Sequence, residues 1–97
     1  MMSSEKKTQA NLVKYLKSKG CYVIKTRPGP GVPVGCPDVI AFHEGWWGGF
    51  EIKGAKNSKF QPLQKETIVK FEDWSTGMVV YPENYDDCIS KLDLFFD

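Results

Sequence analysis

The sequence predicts an α/β domain with the element order α-β-β-β-α-β-α. Three observations carry this. Apolar residues near both ends recur at helical spacing. The stretch between them holds short β-branched and aromatic runs. Clusters of glycine and proline separate those runs. A chain of 97 residues has no room for a second core, so residues 1–97 are expected to form one domain.

In chain order, Ser3 or Ser4 caps a first helix, with Glu5 in its first turn where a negative charge suits the helix dipole. Leu12, Val13, Tyr15 and Leu16 face inward and Gly20 ends the helix. Glu5 and Gln9 are four residues apart and share a face. Cys21 to Thr26 reads as a strand. Arg27 to Gly35 has three prolines and three glycines in nine residues and reads as a loop, with Arg27 a candidate phosphate contact. It matches neither GxGxxG nor a Walker loop. Asp38 to His43 is a second strand, and its continuous apolar run, Val39 to Phe42, predicts burial on both faces. His43 to Gly48 forms the connection and Gly49 to Lys53 the third strand. Alternation sends Phe50 and Ile52 to one side and Glu51 and Lys53 to the other. After a polar loop, Gly54 to Lys59, a helix opens at Ser58 or Gln61, with Gln64 near its start and Leu63, Thr67, Ile68 and Phe71 buried. Gly77 closes the next turn, Met78 to Tyr81 is the fourth strand, and Asn84 caps a last helix presenting Tyr85, Cys88, Ile89, Leu92 and Phe96.

Composition excludes several classes. No apolar run approaches the roughly 20 residues that span a bilayer, and the N-terminus has no apolar h-region. Three widely spaced cysteines (Cys21, Cys36, Cys88) and a single histidine, His43, argue against a disulfide framework or a zinc cluster and for a reducing cytoplasm. Residues 1–70 hold 12 of the 13 basic residues and five of the 12 acidic ones, a net of +7, whereas residues 71–97 carry a net of −6. A basic body of this kind can attract a polyanion, but charge alone favours the plainer reading, a lysine-rich solvated surface with an acidic tail.

The chemistry concentrates between Gly35 and Lys53. Asp38 and Glu51 sit at strand positions that converge if the strands are neighbours. Hard cations such as Mg²⁺ or Mn²⁺ take one or two carboxylates plus water and phosphate, and the backbone carbonyl of Ile52 offers a third ligand. Such an ion activates water and neutralises a phosphodiester. Lys53, on the face of Glu51, is placed to orient water or stabilise a crowded phosphate.

Pro37-Asp38, twelve residues, then Glu51-Ile52-Lys53 resembles the signature of the PD-(D/E)XK nuclease superfamily. It is most similar to the virus-type replication-repair nuclease group (VRR-NUC). Gly35 precedes the Pro-Asp, Glu5 and Gln9 fit that group's first helix, Gln64 opens its later helix, and Gly77 precedes its last strand. The resemblance implies a restriction-endonuclease-like core, a mixed sheet flanked by helices. It implies metal-dependent DNA hydrolysis in which Asp38 and Glu51 bind Mg²⁺ or Mn²⁺. Lys53 would assist, Gln64 would fix the site, and Glu5 would be a further acidic ligand or a support just outside the ligands. Gln9, Arg27, Lys56 and Lys59 are candidate DNA contacts.

The expected activity is a structure-selective endonuclease cutting four-way junctions or other branched DNA in repair, as a homodimer, in the cytoplasm of a bacterial cell or phage-infected host. The alternatives are an inactive nuclease fold that binds branched DNA or a replication partner, and a sequence-specific restriction-type enzyme. Trp46 and Trp47 are expected to pack inside the protein or across a dimer interface in preference to stacking on a base. His43 is expected to be a strand-end residue and the cysteines to be ordinary, partly buried side chains.

Overall fold

A computed structural model describes residues 2–96. Helix α1, Ser4–Ser18, starts where the Ser3 hydroxyl accepts the Lys6 N–H at 3.2 Å and ends before Gly20, in the left-handed region. Its buried stripe is Thr8, Leu12, Val13 and Leu16. Four strands follow in the sheet order β1-β2-β3-β4: β1 Tyr22–Lys25, β2 Val39–His43, β3 Trp46–Ile52 and β4 Thr76–Val80. The first three are joined antiparallel. β4 runs parallel to β3 because helix α2, Gln64–Trp74, makes the crossover between them. A 3₁₀ turn, Pro82–Asn84, leads into α3, Tyr85–Leu92. This is the mixed, helix-flanked sheet the sequence predicts, in the predicted order.

The register divides the sheet into two faces. Val39, Ala41, Phe50 and Ile52 point toward α1 and α3, where they meet Leu12, Leu16, Val80, Leu92 and Phe96 in the main core. Asp38, Ile40, Phe42, Trp47, Gly49, Glu51 and Lys53 occupy the alternating positions on the α2 side. There α2 lies directly against the sheet. Gly49 and Gly77 are register partners on β3 and β4, and a Cβ on them would sit 2.3 Å from the Phe71 ring and 2.4 Å from the Ile68 carbonyl oxygen. Two adjacent glycines thus form the seat of the helix.

Five details differ from the sequence reading. β2 is not buried on both faces: Val39 and Ala41 are buried but Phe42 is 43% exposed, because α2 packs on β3 and β4 and leaves β1 and β2 open on that side. Trp46 and Trp47 lie in β3, not in the connection. The turn is only Glu44-Gly45, both with positive φ, the two-residue form that suits strand twist. α2 begins at Gln64, with neither Ser58 nor Gln61 as its cap, because Leu63 takes a left-handed conformation and blocks an earlier start; Leu63 itself is exposed. Gly77 is inside β4, where close approach of α2 requires it. Asn84 does not cap α3 with its side chain; the amide accepts from Tyr81 N–H and donates to the Val79 carbonyl, both at 2.8 Å, so it staples the turn after β4.

Both tryptophans pack within the chain. Trp46 donates to Thr76 Oγ1 at 3.0 Å and meets the Phe96 ring edge-on at 5.0 Å. Trp47 meets Phe71 edge-on at 5.1 Å. His43 lies against Phe96 and beside the Gly20 carbonyl at the end of β2. All three cysteines are free, with Cys21 and Cys88 buried and Cys36 half-buried.

Candidate active site

The site forms where β2 begins and β3 ends. Thr26 fixes the Pro-Asp step: its N–H donates to the Asp38 carbonyl at 2.9 Å and its hydroxyl to the Pro37 carbonyl at 2.6 Å. Asp38 Oδ2 then accepts the Ile52 N–H at 2.8 Å, which clamps the first acidic residue to the strand that carries the second. The backbone of Ile52 is therefore beside Asp38.

Glu51 is 1% exposed. Its Oε2 accepts from Gln64 Nε2 at 3.0 Å and lies 4.0 Å from the Lys53 ammonium. Its Oε1 is buried without a hydrogen-bond partner. Burial, then the adjoining Asp38 carboxylate, pushes the Glu51 carboxyl up from 4.5 to about 8; Lys53 opposes this and Glu5 adds slightly to it.

Lys53 Nζ donates to Gln64 Oε1 at 2.8 Å and stands 5.0 Å from the centre of the Phe60 ring. Gln64 Oε1 also accepts the Gln61 N–H at 2.7 Å. This fixes the sense of the amide: two donors need its oxygen and a carboxylate needs its nitrogen. Gln64 is the first residue of α2, so the helix start itself ties Glu51 to Lys53. A cleft of about 390 Å³ opens here, lined by Asp38, Gln64, Thr26, Gln61 and the proline-rich loop. Gly35 lets that loop close on α2. Its φ is +84°, and a Cβ there would lie 2.7 Å from the backbone of Leu63.

Asp38, Glu51, Lys53 and Gln64 are thus brought together. Glu5 and Gln9 share a different groove, on the α1 side. The start of α1 nevertheless adjoins the site, since Ser4 Oγ donates to the carbonyl of Gly54, next after Lys53, at 3.2 Å. Arg27 is exposed where the proline-rich loop leaves β1, and Lys56 and Lys59 are exposed on the loop between Lys53 and α2. Among the described residues, no three His, Cys, Asp or Glu side chains form a group placed to hold a metal ion. Asp38 and Glu51 still fit a hard divalent cation, which needs only one or two carboxylates when water and phosphate complete its shell. The unpartnered, buried Glu51 Oε1 is the observation in favour: a carboxylate oxygen shut away from water calls for a counter-charge.

Sequence reasoning missed Phe60 beneath Lys53, the Gln61 amide and Thr26. Phe60 and Gln61 carry no motif, and Thr26 looks like any strand-end threonine; only the fold reveals what each one touches.

A family model described as archaeal Holliday junction resolvase matches residues 3–80. A solved structure described as a VRR_NUC domain superposes with a TM-score of 0.72, covering 92% of this chain and 97% of its own, at 22% sequence identity. Among curated proteins none matches. The solved structure shows a common restriction-endonuclease-like fold, and the family match runs from the cap of α1 to the end of β4, across every residue of the Asp38–Glu51–Lys53–Gln64 cluster. On that match the chain belongs to the archaeal Holliday junction resolvase family (Hjc), a PD-(D/E)XK-type nuclease family.

Proposed function

We propose that the chain is an Mg²⁺- or Mn²⁺-dependent, structure-selective endonuclease that hydrolyses phosphodiester bonds in four-way junctions or other branched DNA, and that it acts as a homodimer. The observation that carries the reading is the buried Glu51, with one oxygen unpartnered, beside Asp38 and a buried lysine. Asp38, Glu51 and the Ile52 carbonyl would hold the ion, with Glu5 a further acidic group at the α1 side. When bound, the ion supplies an activated water and neutralises charge on the phosphate.

The protein's own contribution is placement. The Ile52 N–H aims Asp38, and the Gln64 amide holds Glu51 and Lys53 at fixed separation. Lys53 is 8% exposed, so its ammonium acts with little screening on charge that builds on the phosphoryl oxygens. The cleft between the proline-rich loop and α2 gives the scissile phosphate access to Asp38. Arg27, Gln9, Lys56 and Lys59 are candidate contacts to DNA beyond it. Family membership supports a junction substrate. The apolar sheet face that α2 leaves open supports the dimer.

The test is cleavage of four-way junctions, flaps and plain duplex with Mg²⁺ or Mn²⁺, comparing the parent protein with Asp38→Ala and Glu51→Ala. Loss of an ion-holding carboxylate is expected to lower the rate by at least about 100-fold, the scale of one missing electrostatic contribution. Folded alanine variants that cut like the parent would show the site to be wrongly assigned. Junctions of scrambled sequence separate a resolvase, which tolerates scrambling, from a restriction-type enzyme. Binding of junctions without cleavage under any divalent ion would identify an inactive binding module.

A further inference from the structure

We infer that the groove between α1 and β1 is a track for the sugar-phosphate backbone of one DNA strand, running away from the Asp38–Glu51 pair. The inference rests on the nuclease reading and extends it to residues that lie outside the active-site cluster.

The groove encloses about 610 Å³ and gathers Lys6, Lys14 and Lys17 from α1 and Lys25 from β1. On α1, positions 6, 10, 14 and 17 recur at spacings of three and four, so they form one stripe. Among the described residues, none of these four ammonium groups has a carboxylate within ion-pairing distance; the pairs present involve Lys19, His43 and Lys53. On the outer surface of α2 the lysines are likewise unpaired among the described residues, but they line no groove. Lys65 and Lys70 flank Glu66 around a shallow apolar patch.

The groove also has a direction. Glu5 lies at its start, where α1 adjoins Gly54 and where its charge bears on Glu51. Lys14 and Lys17 lie two and three turns farther along. An acidic end beside the candidate ion site, followed by unpaired ammonium groups, suits a strand whose scissile phosphate is at the ion and whose next phosphates lie along the helix. From residue 5 to residue 17 α1 rises about 18 Å; a strand winds about the duplex, so its consecutive phosphates lie about twice the ~3.4 Å axial rise apart, and that length accommodates about three phosphates. Small anions do not need such a length; a polyanionic strand does.

The experiment measures binding of a four-way junction as a function of salt, in EDTA, for the parent, for a Lys14→Ala/Lys17→Ala/Lys25→Ala variant, and for a Lys65→Ala/Lys70→Ala control. All five lysines are exposed, and thermal melts check that each protein is folded. Each phosphate that no longer meets a lysine reduces the slope of log affinity against log salt by about 0.9. The groove variant is therefore expected to lose about two to three from the slope and at least about tenfold in affinity, with the control unchanged. Phosphate-ethylation interference adds position: about three consecutive phosphates on one side of the cut should interfere for the parent and cease to do so for the groove variant. A groove variant with the parent's slope and footprint overturns the track, as does an equal loss in the control. A parent protein that cuts junctions in such a case leaves the nuclease reading standing. A parent that neither binds nor cuts any DNA removes the nuclease reading, and the track with it.

Discussion

At Glu51 two requirements conflict. Burial and the neighbouring Asp38 favour a neutral carboxyl, raised to about 8, while holding a cation requires the charged form. Without a cation, the folded protein keeps a proton between pH 4.5 and 8 that the unfolded chain has released. Native protons outnumber unfolded ones in that window, so stability falls as pH rises through it. Glu51→Gln keeps the shape and a hydrogen bond to Gln64 but removes the titration. In EDTA, the variant is expected to melt with the parent near pH 4.5 and above it at pH 8.5, by an amount on the order of a few kcal/mol. A parent that holds its melting temperature relative to the variant across that range would sink this account. The pair Asp38 and Glu51, with Lys53, was legible in the sequence because strand alternation and the Pro-Asp/Glu-x-Lys spacing both point to them. Their energetics were not, because the orphaned Glu51 oxygen and the aromatic ring under Lys53 arise only when α2 and its preceding loop fold over the strand end.

Among the elements, the helices at the ends and the three antiparallel strands follow from periodicity and turn chemistry. What periodicity does not encode is the distance between elements. The continuous apolar run of β2 suggested cover on both faces, yet α2 sits over β3 and β4. The helix is drawn there by the Gly49–Gly77 pair, which looked like two unrelated glycines, one opening a strand and one closing a turn. The two positions should respond differently to alanine. At Gly49 the new methyl meets the Phe71 ring, a side chain that can be shortened. Gly49→Ala is expected to cost about 1–3 kcal/mol by overpacking, and Phe71→Leu should recover part of the loss. At Gly77 the obstacle is the Ile68 carbonyl and the Glu72 amide, 2.4 and 2.8 Å away. Backbone cannot be trimmed, so Gly77→Ala should cost more, with no recovery from Phe71→Leu. Urea melts of the two single and two double variants measure both differences; equal recovery at the two positions would show that α2 shifts as a unit and that the glycines do not seat it.

For the whole molecule, the side of the sheet that α2 leaves open is apolar and carries the candidate active site. Tyr22 pairs with Phe42 and Phe42 with Trp47 in register across three strands. Tyr22 is 72% exposed and Ile24, on the next row of that face, is 41% exposed. Trp74, at the end of α2 beside Phe71, is 66% exposed. Large contiguous apolar surface on a small protein marks an interaction site. A standard interface takes about 800 Å² per partner, a modest share of the 6540 Å² surface. Isologous pairing through this face would cover the aromatic row with the same row of a second copy. It would also bring two clefts to the margins of one seam, as paired incision of two strands requires. The acidic α3, packed on the opposite face, would stay clear of both. Phe42→Glu places a charge at the centre of the row while leaving the main core on the other face untouched. The parent is expected to scatter light as twice its 11.0 kDa mass, and the variant as a single folded chain with a four-way junction cut in one strand at a time. A parent of single mass, both free and on DNA, would rule out this face as the seam. A variant that remained at double mass would place the seam elsewhere on the molecule.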